Sequence, residues 1–171
     1  TPRADGWPAS AGPTGAALLD NVLFVATDQG LLSLPAAETR WAPVTTPLTG
    51  DLRPTSLQRV DQSLVMTAAG ASSGGLFIKP FDGDWAKVMG APSTPCWALV
   101  KKSSQWLLAP TGGLFAAPTL DGPWTQRSAA ATPLFTRPVT RLVAAAAQQK
   151  LFATGELAMG GLFESIDLGQ T

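Results

Sequence analysis

The chain has 171 residues, 45% of them hydrophobic and 14% charged, with twelve basic residues against twelve acidic ones. That length and apolar content suit one globular domain with a buried core and exclude a disordered chain. Neutral charge argues against a nucleic-acid or polybasic membrane surface, both of which need a positive field, and no apolar run approaches the roughly 20 residues of a membrane span. There is no His, no Tyr and a single Cys, Cys96. Histidine metal centres and Ser-His-Asp or Cys-His catalysis are therefore excluded within this chain, and neither a metal nor a cofactor is expected. Cys96 cannot form an intramolecular disulfide, and its apolar setting, Pro-Cys-Trp-Ala-Leu-Val, predicts a small buried hydrophobe.

In chain order, the first apolar run is Val22 to Ala26, followed by "GLLSLPAAETRWAPV" from Gly30. Next come Thr55–Val60 and Ser63–Thr67, then "GLFIKPFDGDWAKV" from Gly75. Trp97–Val100 and Trp106–Ala109 precede "GLFAAPTLDGPWTQR" from Gly113, and Thr140–Ala145 and Lys150–Thr154 precede "GLFESIDLGQT" from Gly161. These runs are too short for helices and are divided by turn residues such as Asp61-Gln62, Lys102-Ser103-Ser104 and Gln148-Gln149. "AAAA" at Ala144 to Ala147 has helical propensity, but the frame of the repeat predicts an inner strand where small residues suit crowding.

The four glycines are spaced by 45, 38 and 48 residues, the period of a four-stranded propeller blade. Each unit then reads as strands A to D: A innermost, C opening at Gly-apolar-apolar, and D opening at Trp. The fold expected is an all-β propeller of antiparallel blades forming a single domain, with units at about 16–45, 55–89, 96–128 and 139–171.

The run Ser165-Ile-Asp167-Leu-Gly169-Gln-Thr171 resembles an Asp-box, the bacterial-neuraminidase-type repeat Ser-x-Asp-x-Gly-x-Thr-Trp of sialidase-like, sortilin-like and photosystem-assembly-factor-like propellers. The box is a hairpin device, in which a carboxylate accepts backbone N–H bonds and Gly supplies positive φ. The second unit keeps Asp82-Gly83-Asp84-Trp85 and the third Asp121-Gly122-Pro123-Trp124. The resemblance implies an extracytoplasmic, bacterial protein. Sialidases act through a Tyr nucleophile, which this chain lacks, so no catalytic residue is assigned.

The fourth box lacks its Trp, while Asp5-Gly6-Trp7 near the N-terminus looks like an unattached strand D. Residues 5–10 are therefore expected to complete the last blade by pairing with Leu162–Ser165. Three assemblies satisfy this: a four-bladed monomer, a homodimer sharing one eight-bladed ring, or part of a larger propeller. Ligands are expected at the rim formed by the D-to-A and B-to-C loops. Arg53 and Arg137 each precede a Pro at the same place in their units and suit a carboxylate or phosphate, or are solvated loop residues. Asp28 and Glu156 are candidates for the same rim. Trp97 is either a stacking platform for a sugar or part of the core. The function expected is a non-catalytic binding module with a protein partner, or alternatively a glycan-binding lectin or glycosidase-related propeller.

Overall fold

The repeat becomes a set of stacked sheets. The computed structural model describes residues 5–127, 139–145, 150–155 and 162–166, and among them there is no helix. The first sheet is β1 (Pro13–Leu19), β2 (Val22–Thr27), β3 (Gly30–Pro35) and β4 (Ala42–Val44), and the second is β5 (Arg53–Val60), β6 (Ser63–Ala69), β7 (Gly74–Pro80) and β8 (Ala86–Lys87). The third is β9 (Cys96–Lys102), β10 (Gln105–Pro110), β11 (Phe115–Ala117) and β12 (Thr125–Gln126). The fourth contains β13 (Val139–Ala145), β14 (Lys150–Gly155) and β15 (Leu162–Ser165). Each is an antiparallel meander with its strands in chain order. The architecture is a four-bladed β-propeller, as the repeat predicts.

Local chemistry sets the hairpins. Asp20 and Asn21 both hold positive φ (47° and 59°) between β1 and β2, the conformation that a tight two-residue hairpin turn requires. Side-chain alternation then commits both faces of the middle sheets. On β6, Leu64, Met66 and Ala68 pack with Ala17, Leu19 and Leu31 of the first sheet, while Val65 packs with Cys96 and Trp106 of the third. On β10, Trp106 and Leu108 face the second sheet, and Leu107 and Ala109 face Val139, Leu151 and Ala153 of the fourth. A strand covered on both sides loses its polar alternation, which is why Leu64 to Ala69 carries one polar residue, the buried Thr67, and Trp106 to Ala109 none.

The inner strands β1, β5, β9 and β13 succeed one another around a common axis. They approach closely: a Cβ on Gly15 would lie 2.5 Å from the backbone nitrogen of Leu57, so β1 passes β5 only because Gly stands there. Large exposed apolar side chains among the described residues include Leu18 and Leu23 on the first sheet, Phe81 and Met89 flanking β8 of the second, and Val143, Leu162 and Phe163 on the fourth.

The expected closure by the N-terminus is corrected. Residues 5–10 form turns rather than a strand, and they lie against the first sheet. The backbone N–H of Trp41 donates to the carbonyl of Asp5 at 2.9 Å. Trp7 meets Trp41 edge-on, with centroids 5.2 Å apart, above Val25, Leu32 and Leu34. The physical reason is a competing apolar surface. The face of the first sheet turned away from the second carries its own cluster, and Trp7 caps it beside the Trp of the same blade. Of the Asp-box, Ser165 pairs with Leu151 at the end of β15; Asp167, Gly169 and Thr171 lie outside the described residues.

Candidate functional site

Each inner strand carries a β-bulge at its N-terminal end. The register skips Thr14 in β1, Thr55 in β5, Trp97 in β9 and Thr140 in β13. A bulge adds one residue to its strand and re-aims that residue's side chain. Here the four re-aimed side chains converge. Thr14, Thr55, Trp97 and Thr140, with Pro13 and Arg141, line one cavity of about 210 Å³ that all four inner strands border. Only Arg141 among these residues is charged, and its side chain is solvent-exposed.

The hydroxyls at three of the bulges also tie the structure together. Thr14 Oγ1 donates to the carbonyl of Pro54 (3.1 Å), and Thr55 Oγ1 donates to the carbonyl of Cys96 (2.6 Å). In both cases the acceptor is the residue just before the bulge of the next blade, so one contact repeats around the ring. Because the Thr55 proton is used by Cys96, Thr67 donates to Thr55 (2.8 Å) and Ser56 to Thr67 (2.6 Å). A fully satisfied chain of this kind is rigid, since the low local dielectric makes each broken link costly. In the third blade Trp97 takes the bulge position, and its Nε1 donates to Thr111 Oγ1 at 3.1 Å. In the fourth, Thr140 Oγ1 turns to the carbonyl of Thr154 in its own blade, at a long 3.4 Å.

Of the residues singled out in the sequence, Trp97 lines the cavity. Arg53 is exposed and donates to the carbonyls of Gly50 (3.0 Å) and Leu52 (2.8 Å), fastening its own loop. Asp28 accepts the backbone N–H of Gly12 at 2.9 Å and anchors the entry to β1. Arg137 and Glu156 lie outside the described residues. The threonines and Arg141 were missed, although a signal existed. A residue of the same kind, Thr, opens three of the four inner strands, in Pro13-Thr14, Pro54-Thr55 and Val139-Thr140. Among the described residues no cluster of three or more His, Cys, Asp or Glu could hold a metal, and no helix is long and apolar enough to cross a membrane.

Cys96, the sole thiol, is completely buried at the second-to-third-sheet interface. Burial pushes its pKa up to about 12, with the Lys87 ammonium pulling weakly the other way. A thiol held neutral in this way is no nucleophile at neutral pH.

No family model matches the chain, and no curated protein does. Solved structures do match its fold. The extracellular domain of BT4673 from B. thetaiotaomicron, described as a hybrid two-component system, superposes with a TM-score of 0.68 at 16% identity, over 91% of this chain and 21% of that one. Regucalcin, a calcium-binding protein from Agrobacterium tumefaciens, gives a TM-score of 0.68 at 12% identity, over 94% of this chain and 58% of that one. The computationally designed protein Ika4 gives 0.59 at 11% identity, over 93% of both chains. This chain thus spans a fifth of one natural neighbour and somewhat over half of the other. At such identities the likeness is one of fold: the chain is similar to β-propellers, extracellular domains among them.

Proposed function

We propose that the protein is a non-catalytic β-propeller binding module, exported or displayed at a cell surface, that takes its ligand in the axial cavity. The observation that carries this reading is the fourfold bulge: four equivalent distortions, one per blade, aim Thr14, Thr55, Trp97 and Thr140 at the same space. A bulge sacrifices ladder pairing, and its repetition at one end of one axis fits a shaped recognition site. Among the described residues no nucleophile–base pair accompanies it, and the thiol is buried and neutral. The extracellular neighbour BT4673 supports an extracytoplasmic location, as does the Asp-box reading of Ser165 to Thr171, which belongs to the same proposal.

A cavity of about 210 Å³ lies below the roughly 300–1,000 Å³ of ordinary ligand sites, so it admits a compact group: a whole small molecule, or one terminal unit of a protein or glycan partner. Small-molecule libraries screened by thermal shift and tryptophan fluorescence test this. A ligand should raise the melting temperature of the wild type and leave Trp97→Ala unaffected. Turnover of that ligand by the purified protein would overturn the non-catalytic part.

A further inference from the structure

The cavity also has a definite hydrogen-bonding polarity. The Thr14 proton is committed to the Pro54 carbonyl, the Thr55 proton to the Cys96 carbonyl and the Thr140 proton to the Thr154 carbonyl. Each hydroxyl therefore presents lone pairs and no proton to the cavity. Pro13 has no side-chain donor, and the Trp97 Nε1 proton is occupied by Thr111. Among the described lining residues only the Arg141 side chain offers free donors, and its guanidinium has no hydrogen-bond or ion-pair partner among the described residues. The described lining side chains thus divide into an acceptor ring with an indole beside it and the Arg141 cation at the exposed edge.

A sugar hydroxyl can donate its one proton to such a ring but finds no donor in it for its own lone pairs. An ammonium group, with three donors and no acceptor, matches it, and the face of Trp97 adds a cation–π surface. A carboxylate matches the planar fork of Arg141. Thr140 and Arg141 are adjacent in the chain, so the two recognition elements are close together.

We propose that the axial cavity binds a free α-amino acid, its ammonium against the oxygens of Thr14, Thr55 and Thr140 and the Trp97 ring, its carboxylate on Arg141. This rests on the reading of the cavity as the ligand site and names the ligand class. No covalent step is involved.

The test is a titration of the full chain with the standard free L-amino acids, followed by tryptophan fluorescence and calorimetry, with the N-acetyl and methyl-ester derivative of each and a panel of neutral monosaccharides run alongside. At least one free amino acid should bind. Acetylation or esterification should each weaken it about tenfold or more, and Arg141→Gln should weaken the free acid about tenfold while leaving the ester unchanged. Circular dichroism of Arg141→Gln, an exposed position, should match the wild type. If the derivatives bind as well as the free acid, or if only neutral sugars bind and Trp97→Ala abolishes that, the amino-acid assignment is overturned while the cavity remains the ligand site. If no member of any panel binds, the amino-acid assignment is again overturned, and the cavity reading must then stand on the library screen alone.

Discussion

Cys96 shows how burial sets chemistry at the scale of one side chain. It sits between Val65, Leu76, Leu99 and Trp106 with none of its surface exposed. Its thiol has a folded value of about 12 against 9.0 for the free group. The folded state therefore prefers the protonated thiol. Stability from this source is complete below about pH 9 and is lost as the pH rises from there towards 12, at up to about 1.4 kcal/mol per pH unit. Two outcomes are expected: Ellman's reagent should react with the native protein only at the rate of global unfolding, and Cys96→Ala should flatten the alkaline fall in denaturant stability. Fast labelling at pH 7 would refute the burial argument. The expectation that Cys96 is a small buried hydrophobe needed only its apolar neighbours in sequence. The roles of Arg53 and Asp28 were not legible in that way, because whether a charged loop residue faces a ligand or its own backbone depends on where the loop's carbonyls point. Arg53 bonds Gly50 and Leu52, and Asp28 bonds Gly12.

At the scale of the strand and its attachments, the N-terminal segment is the instructive case. The pattern Asp-Gly-x-Trp marks the approach to β8 and β12, and Asp5-Gly6-Trp7 imitates it. Yet Trp7 docks on Trp41, and residues 5–10 form turns against the first sheet. A motif identifies a local turn chemistry, whereas the partner is chosen by whichever apolar surface is left uncovered. The face formed by Val25, Leu32, Leu34 and Trp41 is such a surface. Trp7→Ala should cost about 2 kcal/mol, less than the roughly 3–5 kcal/mol of a fully buried aromatic because Trp7 is half-buried. A double-mutant cycle of Trp7→Ala with Trp41→Phe should return a coupling of about 0.5–1.5 kcal/mol, and the cycle with Leu162→Ala none. Coupling to Leu162 in place of Trp41 would restore the closure by the last blade.

For the whole molecule, the axis is where one chain and two chains would differ. β1 and β13 belong to the first and last blades, and both border the same cavity as β5 and β9. Four inner strands of one chain border one cavity, which suits a ring made by a single chain. Light scattering should return about the 17.7 kDa of one chain. A mass of twice that value would favour the shared ring, with Leu18, Leu23, Val143 and Leu162 as its apolar seam.

The sequence by itself determined the class of fold, the four repeat units of this chain and the approximate places of their strands. Those follow from local physics: a period of 38 to 48 residues, short apolar runs and turn residues between them. It also excluded histidine and tyrosine chemistry by composition alone. The tertiary structure decided where the N-terminus docks and what the axis presents. A bulge is a mismatch between two strands, so it leaves no mark in either strand read singly. The convergence of Thr14, Thr55, Trp97 and Thr140, and the loss of the hydroxyl protons to carbonyls, two of them in neighbouring blades, exist only once four sheets have been wrapped around one axis.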